Sequence, residues 1–291
     1  GNSSAPYSSG QYNTAIGHQA LKGFTTGTRN VAIGYQAAVA STTARDNVII
    51  GYEAGHDITS TVEAVIIGAY AGTKLNSADA NGTIVIGMNA LSTATDAIRN
   101  VMIGYEAGVK LKTDDNIGIG FRAMRNIGDT AGSNHGEFNI AIGTFALGGG
   151  DSSTYANNTA YKNIAIGYAT LNGATTAMTA YENVAIGFAA MNAARESISS
   201  VAIGNSAGRY ATGSYNTFVG ADAGKGGVDD VPYSSGQYNV AMGAQALEGF
   251  TTANYNTAIG HQAGEAITTG TGNTFLGFRA GITATTADYS V

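Results

Sequence analysis

The chain has 291 residues, with 42 Gly, 2 Pro, no Cys and no Trp, and charged side chains make up only 12% of it. This composition excludes a charged helical protein, a disulfide framework and a thiolate metal site. A net charge of −6 without basic clusters argues against nucleic acid as a partner, and no apolar run approaches the ~18 residues of a membrane span.

The first element is Asn13-Thr14-Ala15-Ile16-Gly17-His18-Gln19-Ala20, and the remainder of the chain repeats it. Anchored on the glycine, fifteen copies occur, at Gly17, Gly34, Gly51, Gly68, Gly87, Gly104, Gly120, Gly143, Gly167, Gly187, Gly204, Gly220, Gly243, Gly260 and Gly277. The commonest interval is 17 residues, stretching to 23 or 24 where loops intervene. A fixed period of this size is the signature of a solenoid. It is too short for a helix pair and suits one β-coil of short strands and turns. The expected fold is therefore all-β, a parallel β-solenoid or β-roll of about fifteen coils, running through 1–291 as one continuous segment of a longer fibre.

Within each copy, the positions three and one before the glycine are β-branched or otherwise apolar, as in Val31 and Ile33, with Thr in four copies. They share a strand face because side chains alternate with period two. The position between them is never polar. It reads Ala15, Ala32, Ile49, Ile66, Ala141, Ala165, Ala185, Ala241 and Ala258 among others. If the flanking pair fills the coil interior, this middle column faces the other way and must be covered by another subunit. These nine residues are the expected contacts of a homotrimer.

Four residues before the glycine stands Asn in most copies, including Asn13, Asn30, Asn47, Asn163, Asn183 and Asn256. Stacked carboxamides can bond the coils above and below as a ladder. Four residues after the glycine, the chain alternates between Gly and larger residues, mostly Leu or Met, which reads as variation in turn geometry and fill.

Three loops interrupt the period, around Asn126–Glu137, Gly150–Tyr161 and Gly226–Tyr238. Their residues Asn134, His135, Tyr155, Asn157, Asn158, Asp229, Asp230 and Tyr233 are the candidate ligand contacts. Tyr12, Tyr238 and Tyr255, beside the motif Asn, read first as covers for coil edges. A longer repeat is also present: Pro6–Thr26 matches Pro232–Thr252 at 17 of 21 positions, an offset of 226 residues.

Chemistry is sparse. His18 and His261 occupy a rung position elsewhere held by Tyr or Phe, so they read as rungs and not as metal ligands. The pairs Asp114-Asp115 and Asp229-Asp230 lack an EF-hand spacing and read as solvated turns. No nucleophile elbow or phosphate loop occurs. No catalytic residue, metal site or cofactor is expected.

The repeats resemble those of bacteriophage tail fibres, as in Asn256-Thr257-Ala258-Ile259-Gly260-His261-Gln262-Ala263-Gly264. They are also similar to the head domains of trimeric autotransporter adhesins, as in Asn183-Val184-Ala185-Ile186-Gly187. The resemblance spans Gln11 to Gly281 and implies a left-handed parallel β-roll with three chains side by side. It implies an extracellular, non-catalytic attachment fibre, on a virion or a cell surface, meeting a cell-surface glycan or protein receptor. No membrane insertion is expected within the chain. A spacer without a ligand and, more remotely, a polysaccharide depolymerase are the rival readings. An ice- or mineral-binding surface of Thr-rich turns is weaker still.

Overall fold

The computed structural model describes residues 8–75, 81–95, 97–127, 136–148, 159–173, 178–227 and 234–291. The protein is an all-β parallel β-solenoid of about thirteen turns, with no helix among the described residues. It divides into two compact units, Gly1–Asn139 and Ile140–Val291.

Each motif folds as a three-residue strand. The first unit holds β1 (Thr14–Ile16), β2 (Val31–Ile33), β3 (Val48–Ile50), β4 (Val65–Ile67), β5 (Ile84–Ile86), β6 (Val101–Ile103) and β7 (Ile117–Ile119). The second holds β8 (Ile140–Ile142), β9 (Ile164–Ile166), β10 (Val184–Ile186), β11 (Val201–Ile203), β12 (Thr217–Val219), β13 (Val240–Met242), β14 (Thr257–Ile259) and β15 (Thr274–Leu276). Within each unit every strand pairs in parallel with the next, equivalent residues facing each other: Val31 opposite Val48 and Ala32 opposite Ile49, for example. The ladder closes with bonds such as Val31 N–H to Asn47 O and Gly51 N–H to Ile33 O, both 2.8 Å.

The strands are short because left-handed backbone positions bracket them. The residue before the motif Asn has positive φ in coil after coil, with Tyr12 at 61°, Asp46 at 60° and Tyr255 at 57°. The second and fourth residues after the motif glycine do likewise, as in Gln36 at 52° and Ala38 at 50°. A non-glycine residue there costs roughly 1 kcal/mol. Inter-coil bonds offset it, such as Gln36 N–H to His18 O and Ala38 N–H to Ala54 O. The motif glycine itself has no substitute. Gly51 has a φ of 144°, and a Cβ on it would stand 2.6 Å from the carbonyl carbon of Gly68 in the next coil.

The core is a stack of inward columns. The middle residue of each strand is buried from β2 onward, with the flanking pair partly exposed. Opposite it lie the Ala three residues after the glycine (Ala37, Ala54, Ala71) and the variable position one further on. These columns exchange volume. Five coils with Ala at the strand centre place Leu21, Leu147, Leu171, Met191 or Leu247 at the variable turn position, and the Ala32 coil places Ala38 there. Coils with Ile, Met or Phe at the centre place glycine there: Gly55 beside Ile49, Gly72 against Ile66, Gly108 against Met102 and Gly224 against Phe218. Where Ala202 and Ala258 are followed by Gly208 and Gly264, the ring of Phe218 or Phe275 from the next coil fills the gap. The turn keeps the same left-handed backbone throughout, so the alternation is one of fill alone.

This geometry overturns the assignment of strand faces made from the sequence. Ala32, Ile49, Ile66, Ala141, Ala165, Ala185, Ala241 and Ala258 are enclosed by their own chain, at 0 or 1% exposure, and are not a surface for another copy. Ala15 belongs to the same inward column and is exposed because β1 is an end strand, paired on one side. The physical reason is parity. The motif Asn and the strand centre are two residues apart, so they share a face, and a buried Asn draws the centre inward with it.

Candidate interaction surface

Within each unit the buried Asn column forms runs of side chains hydrogen-bonded from coil to coil. Asn30 Nδ2 donates to Asn13 Oδ1 (3.1 Å) and to Ala44 O (2.7 Å), and Asn47 Nδ2 donates to Asn30 Oδ1 (3.0 Å) and Thr61 O (2.7 Å). In the second unit Asn183 donates to Asn163 Oδ1 (3.1 Å) and Asn256 to Asn239 Oδ1 (3.1 Å). Where the column holds Ala64, its backbone N–H takes up the Asn47 oxygen at 2.9 Å. These runs fix the strand orientation and leave the flanking Val and Ile columns pointing outward.

That outward strip is the most distinctive surface of the molecule. It is two side chains wide, with Val31/Ile33, Val48/Ile50, Val65/Ile67 and Ile84/Ile86 in the first unit and Ile164/Ile166 and Val184/Ile186 in the second. All are partly exposed. A largely apolar strip on a parallel sheet is the kind of face that proteins cover.

Along one margin of the strip, the residue after the motif glycine is aromatic in nine of the fifteen coils and forms short stacks. His18 stacks on Tyr35 at 5.4 Å between ring centroids, and Tyr35 on Tyr52 at 5.1 Å. Tyr105 stacks on Phe121 at 5.4 Å, Tyr168 on Phe188 at 5.2 Å and His261 on Phe278 at 5.6 Å. The Tyr52 phenol is pushed up to about 12, first by its hydrogen bond to Glu53 and then by desolvation. It stays neutral, as a packing surface requires. His18 and His261 are therefore exposed members of this column, as their sequence positions indicated.

On the other side of the strand, the left-handed residues before the Asn form a second column. Arg29 pairs with Asp46 through two bonds of 2.5 and 2.8 Å, and Arg99 with Asp115 through bonds of 2.6 and 2.7 Å. The guanidinium hydrogen bond holds each carboxyl below its ordinary range. Further along, Tyr215, Tyr238 and Tyr255 stack with centroids 5.0 Å apart and ring planes within 6° of parallel. Sequence reasoning read Tyr238 and Tyr255 as edge covers and missed this ladder, although their shared offset from the motif Asn is the signal for it.

Threonine hydroxyls on the turns are occupied: Thr25, Thr42, Thr251 and Thr268 each donate to the carbonyl of the Thr one coil on. The Asp114 carboxylate accepts from Ile98 N–H at 2.9 Å, and Asp115 is held by Arg99. Among the described residues no group of acidic or histidine side chains is arranged to hold a metal ion. An open groove of about 820 Å³ lies in the second unit, lined by residues that include Gln245, Glu248, Thr251, Glu265 and Thr268. Lys225 also lines it, 3.5 Å from Glu248.

The candidate ligand residues Asn134, His135, Tyr155, Asn157, Asn158, Asp229, Asp230 and Tyr233 lie outside the described residues. Among the described residues no helix is long and apolar enough to cross a membrane. No family model, no curated protein and no solved structure matches the chain.

Proposed function

We propose that this chain is a non-catalytic structural fibre that presents attachment surfaces outside the cell, built as a homotrimer of left-handed β-rolls. One observation carries the reading: the outward Val/Ile strip, apolar at nearly every rung and partly exposed in the single chain. Burying it against copies of itself removes apolar area from water at roughly 25 cal/mol per Å². A closed ring of identical chains leaves no strip bare. The resemblance of the motif to trimeric adhesin heads favours three copies. The trimer contact thus moves from the Ala column to Val48, Ile50, Val65, Ile67 and their equivalents. Three copies of every turn and loop then face a cell-surface glycan or protein receptor, which multiplies weak contacts into avidity.

Light scattering during gel filtration tests the assembly. The expected mass is three times the 29.4 kDa of the chain. Ile50→Lys with Ile67→Lys, both facing outward, should release folded monomers. A wild-type monomer would overturn the reading.

A spacer that binds nothing is the second reading, favoured by the 226-residue repeat, since copied coils add length without adding a new surface. Binding of the purified fibre to intact cells or immobilised glycans separates the two. Its absence leaves the spacer.

A further inference from the structure

The groove of the second unit runs past successive coils. Glu248, Glu265 and Ile282 line it, and each stands five residues after a motif glycine, Gly243, Gly260 and Gly277 in turn. Its volume of about 820 Å³ falls within the range of small-ligand clefts, roughly 300–1,000 Å³. Gly249, Ala266 and Ile282 contribute apolar surface to the lining.

Most of the polar groups in the lining are already engaged. Lys225 Nζ lies 3.5 Å from Glu248 Oε1 and 3.6 Å from Asp222 Oδ1. Gln245 Nε2 donates to the other Glu248 oxygen at 2.9 Å, and Gln245 Oε1 accepts from Gln262 at 3.4 Å. Thr251 and Thr268 donate their hydroxyl hydrogens to Thr268 O and Thr285 O, which leaves only lone pairs on both hydroxyl oxygens. Glu265 is different. It is partly buried, and among the described residues its side chain has neither an ion pair nor a hydrogen bond. The open capacity of the groove is thus mainly acceptor, with one negative charge that no cation of the chain pairs with.

We propose that this groove binds an oligosaccharide of hexosamine units that carry free amino groups. Such a ligand is rich in donors and positively charged. Its ammonium pairs with Glu265 through charge-assisted bonds, its hydroxyls donate to the oxygens of Thr251 and Thr268, and its C–H surface covers Ala266 and Ile282. A peptide fits less well. Its backbone carbonyls would leave water for a groove with few donors to meet them, and an unpaired buried acceptor is costly. The same argument disfavours an N-acetylated sugar, whose amide adds a carbonyl and removes the charge. The proposal deepens the attachment reading by naming the ligand class, and rests on that reading only for its biological use.

The test is isothermal titration calorimetry on the full chain, with a glucosamine trisaccharide, its N-acetylated counterpart and trilysine as probes. Wild type should bind the free-amine trisaccharide at least about tenfold more tightly than the acetylated one. Glu265→Gln keeps the size of the side chain, so it should leave the melting temperature unchanged and weaken that binding about tenfold. Ala266→Leu narrows the groove and should weaken binding without removing the charge. Glu63→Gln, at an exposed carboxylate of the first unit, should change nothing. Should Ala266→Leu fail to fold, the comparison of Glu265→Gln with Glu63→Gln decides alone. No binding by wild type, equal losses in those two variants, or trilysine binding as tight as the sugar overturns the groove assignment. Each of these leaves attachment to intact cells to stand or fall on its own measurement, whereas a fibre that binds the trisaccharide through Glu265 but binds no cell keeps the groove and sinks attachment.

Discussion

The Ile66 side chain occupies the space of the side chain that Gly72 lacks: its Cδ1 stands 3.2 Å from where a Cβ on Gly72 would be, and the nearest atoms to that Cβ all belong to Ile66. The two positions are one volume shared between strand centre and turn. Ile66→Ala should cost about 3 kcal/mol through the cavity it leaves, and Gly72→Leu about 2 kcal/mol through overpacking. The double variant reproduces the Ala and Leu arrangement of the coil at Gly17. It should recover at least about 1 kcal/mol relative to the summed single effects. Urea denaturation of the four proteins measures this, and simple additivity would refute the shared-volume account.

Gly51→Ala should destabilise by about 3 kcal/mol or more, because its φ of 144° is closed to side chains and the Gly68 backbone fills the space. Gly82 is the contrast. It has a φ of 69° in the column that accepts Tyr, Arg and Asp elsewhere, with nothing within 4 Å of its missing Cβ. Gly82→Asn should therefore shift stability by less than about 0.5 kcal/mol. Equal losses in the two variants would show that φ and inter-coil clearance are not what the motif glycine is for.

Asn47 makes three side-chain bonds while fully buried: to Asn30 Oδ1, to Thr61 O, and from Ala64 N–H. Asn47→Ala strands these partners and should cost about 3 kcal/mol. Asn47→Asp should cost more at neutral pH, since a buried carboxylate has no proton to donate to Thr61 O. Acidification protonates it and should narrow the gap between the two variants. Thermal melts at pH 7 and pH 4 would show this, and a gap that widens towards acid would contradict it.

The Asp46 carboxyl is held below its ordinary value by its hydrogen bond from Arg29. A carboxyl with a lowered folded-state pKa adds stability above its unfolded pKa, and that stability is lost as pH falls through the folded one. The stability difference between wild type and Asp46→Asn should thus be present at neutral pH and be lost as pH falls through the lowered pKa of Asp46. Arg29 is exposed and Asp46 partly so, and the difference should also shrink in high salt. A difference that grew on acidification would reverse the assigned sign.

The solenoid was legible because one glycine recurs at near-constant spacing and because β-branched residues flank each strand centre. The face assignment was legible too, but was read wrongly. An Asn column expected to bond within the chain cannot lie opposite a strand centre two residues away. Alternation forces both Asn47 and Ile49 inward. The exchange of volume between Ile66 and Gly72 was also written in the sequence, as two columns that vary in opposition, yet it becomes visible only once both are known to point inward. Ring stacking at Tyr238 and Tyr255 was less accessible. It depends on left-handed backbone at a position that Arg, Asp, Glu, Lys and Ser also occupy, and no propensity rule singles that position out.

The stacking of motif glycine on motif glycine makes each coil answer only to its neighbours. Removing the segment from Asn30 to Asp46, one 17-residue period, would join Arg29 to Asn47 and leave every column in line. A gene encoding such a protein can gain or lose rungs by recombination between its own repeats without a mismatch in the product. The near-copy of Pro6–Thr26 at Pro232–Thr252 is what such duplication leaves behind. Length is the property that selection can set most freely in this molecule, one rung at a time, like the notches of a ruler.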